Sequence, residues 1–314
     1  MEIKILLIGF NRLDQIKVVL EAIKNLSNSS KFVFIDGPRN DDDKLIQRDM
    51  VEWFLNYGID KSQIIRPDRN LGINHSIPFA IDYVFNQDNA NQILILEDDC
   101  VPSLEAIDLI SQPLVQKCLD NGIVSLTNYF DYLTNRVNRG CITPIKIPTI
   151  WGWVVKKEVW KRIDIFKTYK NLPNIKDLLR GTNIIFNFFF VIKLLITKRF
   201  HHKLNKSWGT WDNYLGLSCR KEHIDCFVLP INGVSNIGYV GTNTASSISN
   251  RNFDRRRASL ASQKQNLAIS NEFIKIVYSS LLSITYFMWP TFKLMLFYVK
   301  SLFSIEKMKN KNYL

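Results

Sequence analysis

Short runs of branched apolar residues alternate along the first half of the chain with segments whose apolar positions recur every three or four residues. The runs at residues 3–8, 32–35, 63–66, 93–96 and 123–126 are dominated by Ile, Leu, Val and Phe, the pattern of strands buried on both faces. Residues 13–26 place Ile16, Val19, Leu20 and Ile23 on one helical face, and 42–57, 74–85 and 104–119 also read as helices. Asp36-Gly37-Pro38 closes the second run as a turn, Gly37 supplying a positive φ and Pro38 fixing its own. Strand and helix alternating at this spacing predict βαβ units, hence an α/β fold with a mostly parallel sheet and flanking helices.

The second half is less regular and richer in aromatics. Trp151, Trp153 and Trp160 fall close together, a basic, Phe-rich stretch follows over 162–206, and Trp208 and Trp211 come next. Indoles beside glycines and an acid describe either an apolar core or a wall that stacks on a sugar. The chain has 314 residues and a net charge of +12, with a pI near 9.4. That balance calls for an anionic partner such as a phosphorylated substrate or a membrane surface. No nucleic-acid-binding module is legible, so no nucleic acid is expected. Five cysteines without a CxxC spacing, and a start that reads as a strand rather than a signal peptide, predict a reducing, cytoplasmic setting.

Chemistry concentrates where the fourth apolar run ends, in Glu97, Asp98 and Asp99 followed by Pro102. Acids at the C-terminal end of a buried strand project into the crevice where open α/β sheets bind ligands. Clustered carboxylate oxygens suit a hard cation, Mn²⁺ or Mg²⁺, able to neutralise a departing diphosphate. Asp212, far from that triplet and flanked by Trp211, has the surroundings of a general base, and equally the position of a helix N-cap. The loop Arg66-Pro67-Asp68-Arg69-Asn70-Leu71-Gly72 precedes a helix start, a natural anion site, though Asn-Leu-Gly is also common turn chemistry. His75 reads as structural, and the adjacent His201 and His202 cannot share a helical face, so no zinc site is expected.

Taken in order, ILLIGFNR, FVFIDG, IIRPDRNLGINHSIPFAIDYVF, ILILEDDCVPS, TIWGWVVKKEVW and WDNYLGLSCRKEHIDCFVLPINGVSNIGYVG resemble bacterial GT-A-fold glycosyltransferases of surface-polysaccharide pathways, including lipopolysaccharide and capsule assembly. They are more distantly similar to Golgi N-acetylglucosaminyltransferases. The resemblance spans residues 1–245 and implies a GT-A domain, with a nucleotide-sugar half at 1–127 and an acceptor half at 128–245. It implies that Arg12 and Asp36 hold a uridine-type nucleotide, that Glu97 and Asp98 contact the sugar-nucleotide, that Asp99 ligates the metal, and that Asp212 is the base. Arg69 and Asn70 join the donor side, and Trp151, Trp153 and Trp211 form the acceptor or sugar wall. The Golgi enzymes have a second acid and a tryptophan after the base where this chain has Asn213 and Tyr214, which bears on the acceptor more than on the chemistry. The expected partners are a nucleotide-sugar donor and a glycan or polyprenyl-linked saccharide acceptor.

Two alternatives compete within this reading. A sugar nucleotidyltransferase also uses a sheet-edge acid and Mg²⁺, but Gly9-Phe10-Asn11-Arg12 lacks the glycine-rich form that cradles a triphosphate. A non-catalytic glycan- or sugar-nucleotide-binding protein would bind the same ligands without turnover. Residues 246–314 form a basic extension predicted to be helical. The uncharged stretch 276–292 falls short of the roughly twenty residues a spanning helix wants, and with its flanking lysines reads as an interfacial helix on an anionic leaflet or as a buried one. Residues 183–196 read as a second such patch, as an acceptor-side lid or as a buried helix. The expectation is a peripheral protein on the inner face of the plasma membrane.

Overall fold

A computed structural model describes residues 3–26, 30–87, 90–128, 141–145, 147–165 and 211–238. The Phe-rich stretch 183–196, His201, His202, Trp208 and the extension 246–314 lie outside the described residues.

The core is a mixed sheet in the order β3-β2-β1-β4-β8-β6-β9-β7. β1 (Lys4–Gly9), β2 (Lys31–Ile35), β3 (Ile64–Ile65) and β4 (Gln92–Glu97) run parallel. β6 (Gly122–Ser125) and β9 (Asp225–Val228) are parallel to each other, while β8 (Trp153–Lys156) is antiparallel to both β4 and β6, and β7 (Thr143–Ile145) is antiparallel to β9. A separate antiparallel pair joins β5 (Cys100–Pro102) to β10 (Val234–Asn236). The expected α/β class is observed, mostly parallel with flanking helices.

Alternation along the strands divides the interior into two apolar layers. Leu6, Ile8, Ile93, Ile95, Trp153 and Val155 face α3 (Ile73–Gln87), the short α6 (Lys157–Trp160) and α7 (Trp211–Lys221). Ile5, Leu7, Leu94, Leu96 and Val154 face α1 (Leu13–Ala22), α2 (Asp41–Tyr57), α4 (Leu104–Ile110) and α5 (Pro113–Leu119). A sheet covered on both faces needs the continuous apolar runs seen in the sequence.

Three local expectations are corrected. The single helix over 104–119 is two, because Pro113 starts a new helix and holds the preceding Gln112 extended at ψ 139°. Gly37 does not have the positive φ expected of it; among the described glycines only Gly58, Gly72 and Gly152 do. Its constraint is space, since a Cβ there would sit 2.2 Å from the Arg69 carbonyl. Finally, Arg220-Lys221-Glu222-His223, a polar run that reads in the sequence as an exposed turn, is half helix: α7 runs through Lys221, and His223 follows it at φ 55°.

Candidate active site

The C-terminal ends of β1, β2 and β4 open onto a cleft of about 400 Å³, lined by Gly9, Phe10, Asn11, Arg12, Asp36, Arg39, Asn70, Gly72, Ser76 and the acids Glu97, Asp98 and Asp99 among others. Its position follows from the topology, since parallel strands ending together leave a crevice beyond their carboxyl ends. Arg12 is the N-cap residue of α1 but makes no side-chain cap, and its guanidinium reaches across to the end of β4. There Nε donates to Asp98 Oδ2 at 2.9 Å, Nη2 donates to Asp98 Oδ1, and Nη1 donates to Asp99 Oδ2 at 3.1 Å. Burial works against the Arg12 charge, but Asp98 and then Asp99 outweigh it and hold its pKa above the ordinary value.

The three acids have different surroundings. Asp98 is pushed up to about 6 by burial, with Arg12 pulling the other way. Glu97 is pushed up to about 8, first by burial and then by the charges of Asp99, Asp98 and Asp212. Its Oε1 is buried and takes no hydrogen bond from the described residues. The strand period explains its direction: Glu97 shares parity with Ile93 and Ile95, so it faces the α3 and α7 side. Asp212, in the first turn of α7, is close enough for its charge to act on Glu97. The fold thus brings Glu97 and the helix that carries Asp212, widely separated in sequence, to one side of the sheet, although Asp212 is not among the residues that line the cleft. Asp212 lies within the helix rather than before it, and α7 packs against α3.

Asp99 is held from behind by the segment after β10. Asn236 Nδ2 donates to Asp99 Oδ1 at 3.1 Å, the Ile237 amide donates to the Asp99 carbonyl at 2.8 Å, and the Gly238 amide donates to Asn236 Oδ1 at 3.1 Å. A Cβ on Gly238 would lie 2.1 Å from Asp99 Oδ2, so only glycine leaves that oxygen clear. The Ser-Asn-Ile-Gly run therefore has a physical role that its place in the sequence did not specify.

These oxygens fit a hard divalent cation in one respect: Asp99, with Oδ1 held by Asn236 and Oδ2 by Arg12, is a fixed carboxylate close to Glu97, whose Oε1 takes no hydrogen bond from the described residues. Among the described residues no cluster of three or more His, Cys, Asp or Glu side chains is arranged to hold a metal. A Mg²⁺-type site needs only one or two protein carboxylates, the remaining positions being filled by substrate phosphates and water.

The other expected residues are spread around the cleft. Asp36 lines it, with its carboxylate turned to the 70–72 loop; Asn70 lines it too, while Arg69 is exposed and outside the lining. The three tryptophans do not form the expected wall. Trp153 and Trp211 are 0% and 2% exposed and stack on each other at 6.1 Å, with Trp160 alongside at 6.2 Å, so their faces are spent on the core behind the site. Trp151 is half-buried and packs against the opposite apolar layer. The glycine between Trp151 and Trp153 is the constrained member: Gly152 has φ 75°, and a Cβ there would meet Val234 at 2.7 Å.

Sequence reasoning missed the far wall. Arg39 lies over the Phe10 ring at 4.5 Å and donates to Asp43 at 2.8 and 3.1 Å, and Asn11 donates to the same acid at 3.3 Å. Asp43 sits in the first turn of α2, capped by Asn40, and follows two further acids, Asp41 and Asp42. Only its burial, at 3% exposure, marks it out.

No protein-family model and no curated protein matches the chain. Among solved structures it is similar to the mannosyltransferase PcManGT from Pyrobaculum calidifontis in complex with GDP-Man and Mn²⁺, at 11% identity, covering 70% of this chain and 69% of that one, with a TM-score of 0.35. It is similar to an active-site mutant of LgtC, at 11% identity over 81% and 82% and a TM-score of 0.37. A CMP:2-keto-3-deoxy-manno-octonic acid synthetase complexed with CTP matches at 10% identity over 73% and 88%, with a TM-score of 0.38. Likeness this distant says nothing about activity. Among the described residues no helix is long and apolar enough to cross a membrane.

Proposed function

We propose that the protein is a metal-dependent, inverting glycosyltransferase that moves a sugar from a nucleotide-diphosphate donor, UDP-linked by preference, to a glycan or lipid-linked saccharide acceptor in surface polysaccharide assembly. One observation supports the reading: Arg12, Glu97, Asp98 and Asp99 line one cleft at the carboxyl ends of the parallel strands, and α7, which carries Asp212, packs on the face of the sheet that Glu97 shares. Asp99 would hold the Mn²⁺ or Mg²⁺, with Asn236 fixing its rotamer. The cation supplies charge neutralisation for the departing diphosphate. Asp212 takes the proton of the acceptor hydroxyl as that oxygen bonds to the anomeric carbon, and the carbon–oxygen bond to the β-phosphate breaks with its electron pair going to the nucleoside diphosphate. A single base and a single displacement invert the anomeric centre. Glu97 and Asp98 would contact the sugar-nucleotide, burial holding both carboxyls above their ordinary range before a cation binds.

A nucleotidyltransferase is less well supported, because Gly9-Phe10-Asn11-Arg12 after β1 lacks the glycine-rich form that cradles a triphosphate. The basic segments outside the described residues are compatible with peripheral attachment to an anionic leaflet. The test is calorimetric titration with UDP, with and without Mn²⁺, on the native chain and on Asp99→Ala. Manganese-dependent binding lost in the variant is the expected result. Failure of UDP, GDP, CMP and dTDP alike would overturn the proposal.

A further inference from the structure

We infer that Asp36 is a positioning residue that latches the 69–72 loop and the start of α3 onto the end of β2, and that it does not read the nucleobase. The inference deepens the glycosyl-transfer reading and rests on it for the kind of ligand. An ionised carboxylate offers about four acceptor positions, two on each oxygen. In Asp36 all of them are taken. Oδ1 accepts from the Gly37 and Leu71 amides, both at 2.8 Å, and Oδ2 accepts from the Gly72 amide at 3.0 Å and from Asn70 Nδ2 at 3.1 Å. The imide N–H of a uracil entering the cleft would arrive as one donor too many and would have to displace a member of this set.

The surrounding backbone is built to converge on that carboxylate. Gly72, at φ 74°, turns its amide and that of Leu71 toward Asp36. Gly37 lets the Arg69 carbonyl approach to a distance no side chain permits. Asn70 also donates to the Gly37 carbonyl at 2.8 Å, and the buried Gln47 donates to the Asp36 carbonyl at 2.8 Å. Side chain and main chain at the end of β2 are thus both engaged internally, at 7% exposure for Asp36. On the same cleft the half-exposed Arg39 guanidinium over Phe10 offers a flat surface for stacking, which tolerates any base.

The test has two arms. Hydrogen exchange on the ligand-free protein compares the native chain with Asp36→Asn, whose amide group cannot accept all four bonds. Exchange at Leu71 and Gly72 rises by about tenfold or more while β1 and β4 keep their protection. Titration with UDP, GDP, CDP and ADP, each with Mn²⁺, then shows every nucleotide weakened by about the same factor, with the ranking among bases kept. Asn70→Ala removes one donor and leaves Asp36 intact, so it gives a smaller change in the same direction and serves if Asp36→Asn does not fold. Unchanged loop exchange, with only UDP weakened, would overturn the latch and make Asp36 the reader of the base. If the native chain binds no nucleoside diphosphate, the transferase reading falls, and the exchange arm still decides the latch.

Discussion

The ends of β2 and β4 flank β1 and each carries an acid, yet the two have opposite surroundings. Asp36 at the end of β2 is buried and receives four hydrogen bonds from neighbouring amides. Glu97 at the end of β4 is half-buried, with one buried oxygen that takes no hydrogen bond from the described residues, and three further acids act on it. The first acid is satisfied by the fold and serves to hold a loop. The second is left unsatisfied by the fold, which is affordable only where a ligand completes it, because a buried carboxylate without partners prefers to be neutral. Function is therefore expected at β4, with β2 as the scaffold.

The sharpest test of that division lies with the residue that acts on Glu97 from α7. Asp212→Asn keeps the shape of the side chain and removes its basicity. Glycosyl transfer, or slow donor hydrolysis where no acceptor is supplied, should fall by about 10²–10⁴-fold with nucleotide affinity unchanged. Isothermal titration beside a turnover assay separates the two. Equal loss of affinity and turnover would place Asp212 in binding and return the glycan-binding alternative to first place.

Neutralising the two buried acids should move stability in opposite directions. Glu97 keeps its proton in the folded chain to about pH 8, whereas in the unfolded chain it releases it near its ordinary 4.5. The folded state binds the extra proton between those values, so stability falls as pH rises through the window, by about 3 kcal/mol near pH 7. Glu97→Gln abolishes that loss. In metal-free buffer the variant should match the native chain at pH 4 and exceed it increasingly toward pH 8, as read by urea unfolding. Asp36→Asn should instead cost about 2 kcal/mol at pH 7, because it breaks up a satisfied set of hydrogen bonds. Two variants shifting the same way would erase the contrast between the strand ends.

Much of this arrangement was legible in the sequence, and the parts that were not have definite reasons. The run Ile93, Leu94, Ile95, Leu96 announces a doubly buried strand, and strand parity then places Glu97 on the Ile93 face without a structure. The direction of β8 was not legible, since Trp153, Val154 and Val155 read identically up or down a sheet. The burial of Trp153 and Trp211 was equally hidden, because an indole suits a core and a sugar wall alike. Asp36 looked like a ligand-binding acid because three of its four partners, the Gly37, Leu71 and Gly72 amides, are backbone groups that carry no mark in a sequence.

Asn236 offers the finest test of how the end of β4 is prepared. Its side chain donates to one oxygen of Asp99 and accepts from the Gly238 amide, tying the acid to a segment 137 residues further along. Residues that orient a metal ligand typically change affinity by about 10–100-fold when removed. Asn236→Ala should therefore weaken the manganese dependence of UDP binding by about tenfold, with little change when UDP is titrated without metal. The small size of the effect is informative. A far larger loss would make Asn236 a ligand in its own right, whereas no loss would mean that Arg12 alone sets the Asp99 rotamer, through its contact with Oδ2 at 3.1 Å. In that second case the end of β4 would be braced from the cleft side only, and the donor could not claim Arg12 without also releasing the acid that holds its metal.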